Sequence, residues 1–183
     1  MRRNVSFSVT GMTDPVLITD RLELYRPQAT DLPGLAALIA PDAVRRHLGN
    51  RPPDLADTFA RMARNAGSWA LYGYGTFVVR ERGRAEIVGN CGPFHSWRGF
   101  DACNDVVEVG WIIAEQVWGR GYAGEAVGAA LAWFDRVHGP RRTVALIAPE
   151  NHASHAVAAR LGFAACGEHL LEDHRVFLLE RGG

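Results

Sequence analysis

Trp111-Ile112-Ile113-Ala114-Glu115-Gln116-Val117-Trp118-Gly119-Arg120-Gly121-Tyr122-Ala123-Gly124-Glu125 passes from an apolar segment, through closely spaced glycines, into a helical pattern. Asp105 to Ile113, on its left, is rich in Val, Ile and Trp and reads as a strand. On its right, Tyr122 to His138 has a helical period. Val127, Ala130, Leu131, Phe134 and Val137 form one stripe, with Glu125, Asp135 and Arg136 opposite. Gly139-Pro140 ends that helix. Thr143 to Ala148 is a nearly unbroken apolar run, as a central strand should be. A crossover helix makes strands 105–113 and 143–148 parallel neighbours, and the class is mixed α/β.

The glycine segment carries the chemistry. Glycines let a ligand approach the backbone with no Cβ in the way. The first N–H groups of a helix are unpaired and suit phosphate oxygens. By itself the segment leaves a ligand-free glycine turn open. A Walker-type loop requires Gly-Lys-Ser/Thr, which is absent. G-x-G-x-x-G is present at 119, 121 and 124, but the dinucleotide motif places its first glycine at the tight strand-to-helix turn. Here Ala114 to Trp118 intervene, and too little chain follows for a second half-domain.

Outward from this segment, Arg21 to Arg26 alternates as a strand. Thr30 or Asp31 caps a helix with Leu32, Leu35, Leu38 and Ile39 on one face. Asp42 to Leu48 forms a short helix closed by Gly49. Pro52-Pro53-Asp54 opens another, with Leu55, Phe59, Met62 and Ala66 at helical spacing and Gly67 as its stop. Segments 76–80 and 86–89 flank a hairpin turn. Residues 92–104 read as a loop holding Phe94, His95, Trp97, Arg98 and Phe100. Asn151 caps a helix to Leu161 that Gly162 closes. Short strands near 163–166 and 175–179 finish the chain. Residues 1–15 are the loose end, and 16–183 form one domain.

Composition narrows the class further. A 48% hydrophobic content over 183 residues supports a sizeable core. Lys+Arg and Asp+Glu are equal at 20 each, so no basic excess points to nucleic acid. Three widely spaced cysteines form no Cys-x-x-Cys pair, which fits a reducing cytoplasm rather than a disulfide scaffold or zinc site. The seven histidines lack metal-ligand spacing, so no metal is indicated. No run approaches the ~20 apolar residues of a membrane span.

Gln116-x-x-Gly119-x-Gly121, followed by Tyr122-Ala123 and a helix, resembles the acetyl-CoA signature of the GNAT superfamily of N-acetyltransferases. Trp118 to Ala126 is similar to its RimJ/RimL-like branch. So are Thr19 to Leu24, Gly89-Asn90-Cys91-Gly92, Glu108-Val109-Gly110-Trp111, Asn151 to Ser154 and Arg160 to Phe163, in the same order. The resemblance implies the GNAT fold: a mixed sheet of about six to seven strands, splayed between strands 4 and 5, with helices on both faces. It implies acetyl-CoA as co-substrate and direct transfer to a primary amine, either a protein or peptide N-terminus or a small molecule.

The implied cofactor contacts are the backbones of Trp111, Ile112 and Ile113, the loop Gln116, Val117, Trp118, Gly119, Arg120, Gly121, Tyr122 and Ala123, and Asn151. Trp118 is expected to pack under the loop. Glu108 is the candidate general base and Ser154 the candidate donor to the departing thiolate. The tyrosine acid of many GNAT enzymes corresponds to Ala158 and is vacant. Each candidate has a plainer reading: Glu108 as a solvent-facing strand-edge carboxylate, Ser154 as a helix-start serine bonding its own backbone, Asn151 as a cap. His95, Trp97 and Arg98 are candidates for acceptor contact. The acceptor's identity stays open, as do a homodimer and the alternative of an acetyl-CoA-binding sensor without catalysis.

Overall fold

The computed structural model describes residues 14–48, 54–171 and 174–182. Most of the expected loose end, together with Gly49 and Pro52-Pro53, lies outside the described residues. Eight strands form one sheet in the order β1-β2-β3-β4-β5-β6-β8-β7. They are β1 Leu17–Ile18, β2 Leu22–Tyr25, β3 Phe77–Glu81, β4 Ile87–Trp97, β5 Asn104–Ile113, β6 Thr143–Ile147, β7 Ala164–Leu171 and β8 His174–Arg181. Helices α1 Leu32–Ile39, α2 Asp42–Arg45 and α3 Leu55–Tyr72 precede β3; α4 Tyr122–His138 and α5 His152–Arg160 flank β6. The expected mixed architecture is present. The strand count exceeds the expected six to seven because β1 is a two-residue strand with too short a pattern to register.

β4 and β5 pair antiparallel from Gly89–Ile113 to Trp97–Asn104, and this long ribbon is the backbone of the molecule. Side chains on it alternate between faces. Val107 and Val109 join Ala126, Ala130 and Phe134 of α4 in the main core. Ile112 and Asn90 look the other way, toward α1 and α3. A buried ion pair fixes α1 to the sheet: Asp31 meets Arg80 at 2.6 Å and also accepts from the Gln28 N–H at 2.7 Å.

Three local expectations change. The stretch 92–97 is strand, not loop, because β5 gives it a partner along its length. Val137 is 54% exposed, while Trp133, absent from the expected stripe, is buried against Trp69 and Phe77. α3 runs through Gly67 to Gly73, whose left-handed φ of 77° ends it. Tertiary contacts carry the helix past Gly67. Ser68 donates to the Tyr74 carbonyl at 2.7 Å, and Trp69 packs edge-on to Phe77 at 5.1 Å. The expected apolar stripe of α3 is correspondingly misplaced, for Leu55 and Phe59 are 59% and 55% exposed.

A Cβ on Gly67 would meet nothing within 4 Å. Gly67→Ala should therefore stabilise the fold by about 0.5–1 kcal/mol, through helix propensity and a less free unfolded chain, read as a higher urea midpoint at unchanged slope.

Candidate active site

β5 pairs with β6 only at Val107–Thr143 and Glu108–Val144. From Val109 onward the two strands part. The Ala114 N–H turns back to the Val88 carbonyl at 2.9 Å. By antiparallel alternation, the backbone groups of Val109, Trp111 and Ile113 then point into the gap. Ile112 differs from its expected role here: its backbone faces β4, and its side chain lines the cleft beneath α1 and α3. At the mouth of the gap the Trp118 indole donates to the Ile113 carbonyl at 2.7 Å. Trp118 is half exposed, so it seals that carbonyl rather than packing under the loop.

The chain then turns through the 3-10 segment Glu115–Val117 into α4. Gly119 and Gly121 have φ of 76° and 79°, a region costly for L side chains, and Gly121 is the N-cap. Glycine has no side chain with which to cap. Among the described residues, the N–H groups from Gly119 to Gly124 donate to no protein acceptor; the first that does is Glu125, to the Gly121 carbonyl at 3.2 Å. A row of unpaired donors at the positive end of a helix dipole is an anion cradle.

Residues far away in sequence hold that cradle. Glu125 accepts from Thr19 Oγ1 at 2.6 Å, from the Arg21 N–H at 3.1 Å and from Arg21 Nε at 2.7 Å. Arg21 Nη1 donates to the Arg120 carbonyl at 2.8 Å, and the guanidinium lies 4.8 Å from the centre of the Tyr122 ring. The Tyr122 hydroxyl donates to Glu81 at 2.6 Å; Arg120 approaches the same carboxylate at 3.4 Å. Glu125 is thus no solvent-facing charge. Burial pushes its carboxyl up, but hydrogen bonds from Thr19 and Arg21 and the Arg21 charge outweigh this and hold it below the usual value.

Across the gap, Trp111 Nε1 donates to Ser154 Oγ at 3.1 Å. The hydroxyl proton of Ser154 is left to donate elsewhere. Asn151 Oδ1 caps α5 by accepting from the Ser154 N–H at 3.1 Å, while its amide nitrogen has no partner among the described residues. His155 bonds the Ala148 carbonyl at 3.1 Å and His152 is exposed.

Glu108 sits where the strands part. It is 4% exposed, not solvent-facing. Ser96 Oγ donates to its Oε2 at 2.7 Å, Arg98 Nε to the same atom at 2.8 Å, and Arg98 Nη2 to Oε1 at 2.5 Å. This is a bidentate, charge-assisted clamp.

A family of acetyltransferase (GNAT) domains matches residues 21–164. The chain belongs to the GNAT acetyltransferase family. A solved structure from Bordetella pertussis assigned to the same family is 32% identical, with a TM-score of 0.81 over 91% of this chain and 98% of that one. YkkB of Bacillus subtilis (strain 168), an uncharacterised protein, is 29% identical over 148 residues, 80% of this chain and 83% of its own. RimL, a ribosomal L7/L12 alpha-N-protein acetyltransferase solved with coenzyme A, shares the fold at 19% identity and a TM-score of 0.71, over 92% of this chain and 98% of that one.

Within this GNAT fold the sequence-derived candidates divide. The loop from Gly119 to Ala123, Trp111, Ile113, Asn151 and Ser154 converge on the gap, and Glu108 with Arg98 marks its apex. Gln116 instead lines a pocket with Gly34, Ala37 and Leu38 of α1, and the Val117 and Trp118 N–H groups are taken by the Ala114 and Glu115 carbonyls. His95 does not join them. It pairs with Val107 and so lies on the opposite face from Glu108. There its ring stacks on Tyr72 at 3.7 Å, and Nδ1 lies 3.0 Å from the Tyr74 hydroxyl. Its Nε2 lies 3.1 Å from an Asp105 oxygen without making a hydrogen bond to it. Trp97 is 67% exposed beside the clamp. Thr19, Arg21, Glu81 and Ser96 are not legible as site residues in the sequence, since only pairing across distant strands gives them that role.

Two outcomes follow. A Cβ at Gly121 would stand 3.6 Å from Arg21 Nη2, an ordinary contact, but the φ of 79° strains any L side chain. Asp tolerates that region better than most, so Gly121→Asp should cost about 1–2 kcal/mol of stability and still fold. Its carboxylate would compete for the cradle and lower coenzyme A affinity about tenfold or more, ~1.4 kcal/mol, in calorimetry. For Glu125, the folded pKa lies below the usual 4.5. The unfolded chain therefore takes up the proton first as pH falls. The stabilisation is present above about pH 4.5 and is lost as pH drops through the folded value. Glu125→Gln should be less stable than the parent at pH 7, with the gap closing in acid denaturation curves below that point.

Proposed function

We propose that this chain is an acetyl-CoA-dependent N-acetyltransferase of the RimJ/RimL-like branch, acting in the cytoplasm and moving acetyl directly to a primary amine. One observation carries the reading: the unpaired N–H row from Gly119 to Gly124 opens beside a gap in the sheet lined by free strand backbone. The pyrophosphate of acetyl-CoA suits the first and its amide-bearing pantetheine arm the second. Arg120 stands at the cradle's edge to add charge.

The arm then delivers the thioester toward the apex between Glu108 and Val144. The amine's lone pair forms the N–C bond to the acetyl carbonyl, and the C–S bond breaks. The amine nitrogen gives up a proton and the coenzyme A thiolate takes one, leaving amide and thiol. An N–H of the gap polarises the carbonyl. Ser154, whose oxygen is occupied by Trp111, donates to the thiolate. Glu108 is the carboxylate at the apex, but Arg98 and Ser96 already occupy its oxygens. To accept a proton it must displace one of these donors or work through water.

Thiol release from acetyl-CoA across an amine panel tests the reading. Ser154→Ala should lower kcat with acetyl-CoA affinity little changed, the mark of a contact made mainly in the transition state. Glu108→Gln should lower kcat/KM by ~10²–10⁴-fold where the amine is still charged, with the deficit shrinking as pH rises. A loss below about tenfold leaves Glu108 an orienting residue. Tight acetyl-CoA binding with no amine supporting thiol release would favour a sensor instead.

A further inference from the structure

β4 and β5 fall out of step at one end. Ser96 lies opposite Val106 and Trp97 opposite Asn104, so Asp105 is an extra residue with no partner on β4. A bulge of this kind bends its strand and re-aims the side chains beside it. Asp105 has a φ of 54° and, among the described residues, is the one non-glycine in the left-handed region. Asp tolerates that region better than most side chains. Its carboxylate lies against His95, whose ring is fixed by Tyr72 and Tyr74 and whose N–H donates to Ser68 Oγ at 3.0 Å. The bulge is thus backed by packed groups on the face away from Glu108.

What the bulge delivers is Asn104. Its Oδ1 accepts from the Gly99 N–H at 2.8 Å and from the Arg98 N–H at 3.1 Å. The Arg98 N–H also lies 3.1 Å from the Cys103 carbonyl. One side-chain oxygen therefore ties down the start of the connection between the two strands. Packing ties down the rest: Cys103 is fully buried with Val144 and Leu178, and Phe100 stacks on His169 at 4.0 Å. Val144 is the β6 neighbour of Glu108, so the connection folds over the face that Glu108 occupies. Arg98 leaves its first turn and places Nε and Nη2 on the Glu108 carboxylate. A two-bond clamp of that kind is sensitive to where its backbone stands. Glu108 is 4% exposed, and a buried carboxylate depends on its donors, so a loose Arg98 leaves it ill-placed at the apex.

We propose that Asn104 is a positioning residue for acetyl transfer: set in place by the Asp105 bulge, it fixes the backbone of Arg98 and so the orientation of the Glu108 carboxylate. This rests on the N-acetyl-transfer reading, in which Glu108 faces the incoming amine, and adds a residue that acts through Arg98.

The test measures thiol release from acetyl-CoA with the best amine of the panel. Asn104→Ala should lower kcat about tenfold while the acetyl-CoA KM moves less than about twofold. Asn104→Asp keeps an oxygen acceptor and should restore most of the loss. In an Arg98→Gln background, Asn104→Ala should cost less than about twofold more, because residues that act through one contact are not additive. Asp105→Val, a β-branched side chain in the left-handed region, should lose kcat as Asn104→Ala does, and Asp105→Gly should lose less. Near-ultraviolet circular dichroism checks each fold, and Asn104→Ser replaces Asn104→Ala if the latter does not fold. Equal losses in the parent and Arg98→Gln backgrounds, or no rescue by Asp, would mark a merely structural role and overturn the inference. Parental kcat in Arg98→Gln would overturn it too, while leaving acetyl transfer standing. No thiol release with any amine would overturn the transfer reading, and this inference with it.

Discussion

The parting of β5 from β6 after Glu108–Val144 is the constraint on which the rest of the structure depends. Peptide groups in a sheet need partners, and a strand that abandons its neighbour leaves a row of them unmet. β5 tolerates this because its other edge is bonded to β4 along the whole ribbon. β6 tolerates it because β8 pairs with it from Thr143–Arg181 to Ile147–Phe177. The gap is held open from both sides by continuous antiparallel pairing. It ends where the anion cradle begins, since the residues closing β5 lead directly into the glycine turn.

That turn is costly to hold. Two left-handed glycines and a row of unbonded amides give the start of α4 little intrinsic order. Order comes from the side: Glu125, one turn into the helix, gathers Thr19 and Arg21 from the β1–β2 turn, and Tyr122 reaches Glu81 at the end of β3. The first strands of the chain are in this sense part of the cradle. They set the loop's shape without reaching the gap themselves.

The two faces of the β4–β5 ribbon divide the remaining work. One face packs Val107 and Val109 onto α4 and holds His95 among Tyr72 and Tyr74. The other carries Ser96, Glu108 and Ile112 toward α1 and α3. The pleat thus turns adjacent residues to opposite duties. His95 and Ser96 are neighbours in sequence; one braces the core and the other orients a buried carboxylate.

The sequence alone determined α4 from Tyr122 to His138, α5 after its Asn151 cap, the parallel pairing of β5 with β6, and the position of the cradle between them. These are local properties. A 3.6-residue apolar period, a capping side chain and a pair of glycines act within a few residues of where they are written. The GNAT assignment was legible for the same reason, because the signature is a contiguous turn. Tertiary structure decided the rest. α3 outlasts Gly67 because Trp69 finds Phe77 and Trp133, and residues 92–97 become strand because β5 lies beside them. Glu108, a candidate base whose plainer sequence reading is a solvent-facing edge carboxylate, is buried under Arg98 and Ser96. Arg21 and Glu125 meet across most of the chain. Each of these outcomes depends on which distant residue the fold brings within hydrogen-bond or packing reach, and local spacing carries no record of that.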